Sequence, residues 1–158
     1  MTKFWQILEY IQDKMKIISA VCLLAMVFLT CINATGRFFD HPIFGTEEIV
    51  GFLAAFVVAM SLPYARKEDA HIGVEILVRL FTAKTQAIIK VITNILSFIL
   101  FIIATWRIAV YAYTMRQSGE VSMNLQLPEY YVIYILSLCF LIFSLFIFKD
   151  ILNFFKKE

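Results

Sequence analysis

Four long stretches of the chain carry no charged side chain. Lys16 and Arg37 enclose 20 such residues, Glu48 and Arg66 enclose 17, Lys90 and Arg107 enclose 16, and Glu129 and Lys149 enclose 19. An α-helix rises about 1.5 Å per residue and the hydrocarbon core of a bilayer is about 30 Å thick, so runs of this length suit transmembrane helices. A helix satisfies its own backbone N–H and C=O groups in lipid, which an open strand cannot do, and none of the runs alternates polar with apolar residues as a strand would. The third run is short, and Arg107 can lengthen it by snorkelling toward the interface beside Trp106, Tyr111 and Tyr113. The expected fold is therefore an all-α integral membrane protein of one domain, 1–158, with spans at about 17–36, 48–65, 88–113 and 130–149.

Composition and charge agree. Hydrophobic residues make up 61% of the chain and charged residues 16%, against roughly a quarter charged in a soluble domain. Fourteen Lys and Arg against twelve Asp and Glu give a net charge of +2, without the basic stripe a nucleic-acid binder would carry. Orientation follows from where the cations lie. The N-terminal segment, the middle loop and the C-terminal tail hold 3, 5 and 3 Lys and Arg, while the other two loops hold Arg37, Arg107 and Arg116. By the positive-inside rule both termini and the middle loop are cytoplasmic, and the segments 36–48 and 114–128 face outward. The first apolar run is too long for a cleaved secretory signal and lacks a small-residue cleavage site, so it reads as a retained span.

Two segments outside the spans have helical amphipathic spacing. Phe4, Leu8, Ile11 and Met15 place one apolar face on a short N-terminal helix, 3–15, suited to lying in the interface. In the middle loop, 69–83, Ile72, Ile76, Leu77, Leu80 and Phe81 form an apolar face, while His71, Glu75 and Arg79 stack at four-residue spacing elsewhere on the wheel. Asp69 suits the N-cap of this segment, which reads as a horizontal helix joining spans two and three. Ion pairs within the stacked trio stabilise a helix by only about 0.2–0.5 kcal/mol each, so its apolar face must hold it in place.

The search for chemistry returns little. Cys22, Cys31 and Cys139 fall inside apolar runs without metal-ligand spacing and read as buried inert thiols. His41 and His71 lie outside the spans, which argues against a haem held between them. No glycine-rich phosphate loop, zinc-protease signature or nucleophile elbow is present, so no enzyme activity, cofactor or metal site is expected. No carboxylate lies within the four runs, although ion-coupled transport usually requires one at membrane depth. Asn33, Thr93, Asn94, Ser97 and Thr105 are expected to form hydrogen bonds between helices. Pro63 removes a backbone donor and should kink or end span two near its cytoplasmic end. Gly51, Ala55 and Ala59 recur every four residues, which leaves one face of span two open to close approach by another helix, in this chain or a partner.

The order of short motifs resembles one family across essentially the whole chain. Arg37-Phe38-Phe39, then Pro42, then Glu47-Glu48 opening span two, then Ala65-Arg66-Lys67, His71-Ile72-Gly73-Val74-Glu75 and finally Leu127-Pro128 before span four look like the small, DctQ-like membrane subunit of tripartite ATP-independent periplasmic (TRAP) transporters. Thr46 stands where that family often has a tryptophan, and Glu75 where an aspartate is common. The resemblance implies a scaffold. A periplasmic binding protein captures an organic anion, commonly a carboxylate. It delivers the anion to a large elevator-type membrane subunit that holds the substrate and sodium sites, while the small subunit holds neither. The horizontal helix would brace the large subunit, and the outer loops would lie near the docked binding protein. With the sequence ending at Glu158 after span four, the expectation is an unfused subunit in a bacterial or archaeal cytoplasmic membrane.

On this reading Glu47, Glu48, Arg66 and His71 act by positioning, together with Arg37, Gly51, Ala55, Ala59, Glu75, Ile76 and Leu80 as candidate scaffold contacts. A helix N-terminus favours the acidic pair by about 0.3–1 kcal/mol, and the pair could also meet Arg37 or a partner. Arg66 and Lys67 would fix the depth of the cytoplasmic end. The competing class is a self-contained homo-oligomeric transporter or channel, although the first span lacks the carboxylate small exporters place there. A membrane anchor for a redox complex is disfavoured by the missing axial histidines.

Overall fold

The computed structural model describes residues 3–67 and 82–155 and is built of helices: α1 (Lys3–Phe38), α2 (Thr46–Lys67), α3 (Ala83–Ser118) and α4 (Tyr130–Phe155). Each of the four is long and apolar enough to cross a membrane. All extend beyond the charge-free run they carry, because the flanking residues continue the helical pattern with charged and apolar side chains interspersed. Residues 3–15, expected as a separate interfacial helix, are instead the first turns of α1, which runs unbroken for 36 residues. At 1.5 Å per residue that is about 54 Å, well beyond a hydrocarbon core of about 30 Å. The expected horizontal helix at 69–83, with His71, Glu75, Ile76 and Leu80, lies almost wholly outside the described residues.

Packing is by antiparallel neighbours. α1 lies along α2, α3 lies along α4, and α2 meets α4 to join the two hairpins. The junction is apolar: Met15 from α1, Ala59 from α2 and Cys139 from α4 are buried together, with Ile11, Met60, Leu136 and Ile142 packed around them. Between α3 and α4 aromatic rings fill the space, with Phe101 edge-on to Phe143 at 4.6 Å and stacked on Phe140 at 5.8 Å, and Phe98 tilted against Phe148 at 5.6 Å. Such offset and edge-to-face pairs contribute about 0.5–1.5 kcal/mol beyond their buried area.

The distribution of polarity is that of a protein whose solvent is lipid. Buried positions include Gln12, Ser19, Asn94, Ser137 and Ser144, while Leu24, Phe28, Ile92, Leu96 and Leu138 are exposed. Small and hydrogen-bonding side chains let backbones approach closely, and long aliphatic ones gain nothing by leaving lipid. Every buried side-chain nitrogen and oxygen among the described residues has a partner.

Several expectations about single residues change. Pro63 does not end α2, which continues to Lys67, and it is fully buried. Cys139 is buried, Cys22 is half-buried and Cys31 is exposed, so the three do not share one environment. Of the five polar residues expected to bond between helices, Asn94 does so. Asn33 instead accepts the backbone N–H of Ile43 in the following loop at 3.0 Å. The Thr105 hydroxyl donates back to Phe101 within its own helix at 2.7 Å, a bond local enough to win over a distant partner. Thr93 is exposed.

Candidate functional site

The charged candidates among the described residues, Arg37, Glu47, Glu48 and Arg66, gather at the two ends of the bundle. At the end where α1 begins and α4 finishes, Arg66 is the centre. Its Nε donates to Asp150 Oδ2 of α4 at 2.9 Å, and its terminal nitrogen donates to Asn94 Oδ1 of α3 at 2.7 Å. The forked guanidinium can hold both because its donors point in fixed, diverging directions. The Arg66 side chain is only 16% exposed, so this is no freely solvated surface pair. One residue before Asp150, the Lys149 ammonium donates to Glu9 of α1 at 2.6 Å. Gln12 Nε2 donates to the Pro63 carbonyl at 2.6 Å, and Lys16 lies 3.8 Å above the centre of the Tyr64 ring. All four helices meet in this clasp. Arg66, expected to set depth at the interface, joins α2 to α3 and α4.

At the opposite end the two outer loops are fastened to the start of α2. Arg37 donates to Glu47 at 2.7 Å across a pair that is 59% and 78% exposed, a geometry that contributes only about 0.2–1 kcal/mol. Glu48 does something different. Its carboxylate accepts the backbone N–H of Asn124 at 2.6 Å and of Leu125 at 3.0 Å, holding the loop between α3 and α4 against α2. Charge-assisted bonds of this kind are shorter and about twice as strong as neutral ones. Leu125 then lies over Gly45, where a Cβ would stand 2.6 Å from its side chain, and Gly45 has φ +74°. That left-handed conformation and that contact both call for glycine. Gly36 is confined in another way, since a Cβ there would meet the His41 carbonyl oxygen at 2.5 Å.

The stripe of small residues on α2 divides. Ala59 is buried in the junction with Met15 and Cys139, whereas Gly51 is exposed and has open space where its Cβ would be. Ala55 is half-buried between them. The stripe therefore serves internal packing at one end and faces outward at the other.

Four contacts had no place in the sequence reading. Gln12 fell in the segment taken as interfacial. The hydroxyl of Ser19 donates to the Val57 carbonyl at 3.1 Å, that of Ser137 donates to the Thr105 carbonyl at 3.1 Å, and Lys149 meets Glu9. A polar residue inside an apolar run was the signal available for the two serines, but the target carbonyl leaves no trace in the sequence.

Among the described residues no group of three or more His, Cys, Asp or Glu could hold a metal ion. The arrangement is two helical hairpins joined through α2 and α4 and fastened at both ends, which defines a multi-span membrane protein whose named contacts position helices and loops. The family of tripartite ATP-independent periplasmic transporters, DctQ component, matches residues 26–157, and the chain belongs to that family. It is thus a DctQ-type component with four helices long and apolar enough to cross a membrane. A Haemophilus influenzae protein, provisionally named a TRAP transporter small permease protein, is 25% identical over 93 residues. That match covers 58% of this chain and 56% of the relative, so it spans little more than half of either. No solved structure matches the chain.

Proposed function

We propose that the chain is the static scaffold of a sodium-driven, binding-protein-dependent importer of organic anions, carboxylates foremost. The large partner subunit carries substrate and sodium and moves against this bundle, and this chain supplies neither a cofactor nor a catalytic group. Its termini face the cytoplasm of a bacterial or archaeal cell, and the loops bearing Arg37, Glu47 and Glu48 face the periplasm, where the binding protein docks. One observation supports this most directly: every described helix is joined to a neighbour by named side-chain bonds, at one end through Arg66, Gln12 and Lys149 and at the other through Arg37 and Glu48. A body held at both ends suits the part of a machine that another part moves past.

The test is uptake of a labelled carboxylate by cells carrying the complete system, with and without this subunit. Removing it should abolish uptake and leave the large subunit at reduced abundance in the membrane, and restoring it should return both. Full uptake without this chain would refute the proposal.

A further inference from the structure

Of the charged residues on α3, Arg107 lies farthest from either end of the helix. Arg37, Arg66 and Lys149 each meet a carboxylate, whereas Arg107 is exposed and has no hydrogen-bonding or ionic partner among the described residues. Its position is deep. Asn94, which holds Arg66 in the polar clasp, lies thirteen residues earlier on α3, or about 20 Å along the axis. Toward the other end, the bond from Ser137 to the Thr105 carbonyl fixes the register with α4. That register puts Arg107 about 8 Å inside the level where α4 starts. Helical Cα–Cβ bonds lean toward the N-terminus of their helix, so the stem of Arg107 sets out away from the nearer set of headgroups, and the snorkelling expected from the sequence has to run against that lean.

Its neighbours complete a surface. Ile103, Trp106, Arg107 and Val110 fall at i, i+3, i+4 and i+7, a single stripe at the spacing of helix-to-helix contact. Ile103 is 54% exposed, Trp106 70% and Val110 42%. The rings of Phe98 and Phe101 and the carbonyl of Thr105 are engaged with α4. Tryptophan and arginine are the side chains most often found dominating protein interfaces.

We propose that this stripe docks against a transmembrane helix of the large membrane subunit, and that the helix presents an Asp or Glu carboxylate at the depth of Arg107. The proposal rests on the chain being the scaffold subunit. Charge complementarity selects an anionic partner, and the lean of the stem away from the headgroups favours a protein carboxylate over a lipid phosphate.

The test places a photoreactive benzoylphenylalanine at Ile103, Trp106 or Val110, and at Val21 or Phe28 on the exposed face of α1, in the complete complex within native membranes. Crosslinks to the large subunit should form from the α3 positions and not from α1. Arg107→Leu should lower co-purification of the large subunit at least tenfold, with Arg107→Lys retaining more. Both variants should keep the melting temperature of the isolated chain, since Arg107 bonds to nothing described within it. Crosslinks from α1 instead, or lipid adducts alone from α3 with undiminished co-purification of Arg107→Leu, would overturn this face as the contact while leaving the subunit reading standing. A wild-type chain that brings no large subunit with it would overturn the subunit reading itself.

Discussion

Glu47 and Glu48 are adjacent and chemically identical, yet they hold different things. The Glu47 carboxylate meets Arg37 in an exposed pair, whereas that of Glu48 receives two backbone N–H groups from the far loop. Replacing Glu48 with Ala should leave those two amides without their acceptor. Hydrogen exchange at Asn124 and Leu125 should then quicken at least tenfold, while Glu47→Ala should leave them as they are. Equal effects of the two would contradict this division. Arg66 should be costly to lose. Arg66→Leu removes the partner of the half-exposed Asp150 and strands the buried Asn94, and leaving a buried group unsatisfied costs about 1–3 kcal/mol. A thermal-unfolding series in detergent should show a fall of several degrees, with Arg66→Lys restoring only part because an ammonium cannot fork to two helices. The acidic pair and Arg66 were legible in the sequence as residues worth naming. The partners of Glu48 and Arg66 were not, since they lie 28 to 84 residues away and only the folded register brings them near.

At the scale of the element, charge-free runs located the helices because a charge within lipid is costly and absence of charge is easily read. They did not locate the helix ends. Lys3–Met15 continues into the first run without Pro, Gly or a cap to stop it, so α1 is one helix where two were expected. The C-terminal end of α3 was easier in principle, since Gly119 adopts φ +69° and returns its N–H to Met115, a common C-terminal cap. Two glycines separate local need from open surface. Gly45→Ala forces a Cβ into the left-handed region and against Leu125, which should cost at least about 1–2 kcal/mol. Gly51→Ala meets nothing in this chain and should be neutral or stabilising by up to about 1 kcal/mol from helix propensity. Thermal unfolding of the two variants checks this. If Gly51→Ala also weakens co-purification of the large subunit, the open end of the stripe is where a partner approaches; unchanged assembly would make it lipid-facing.

Over the whole molecule, the four-helix membrane fold and the family were both visible from spacing, charge and motif order, and residues 26–157 carry the family match. What the sequence could not supply was the way the helices are fastened. A hydroxyl aimed at a carbonyl on another helix, as from Ser19 to Val57 or from Ser137 to Thr105, is invisible until both helices are placed. Those bonds matter to the functional reading because they fix the register of α1 on α2 and of α3 on α4. The central claim is that this chain positions a partner and moves no solute alone. Reconstitution into liposomes under an inward sodium gradient tests it most directly, with this chain by itself set against this chain plus the large subunit and the loaded binding protein. The account predicts labelled carboxylate uptake only from the complete set. Sodium-dependent uptake by this chain alone would contradict it.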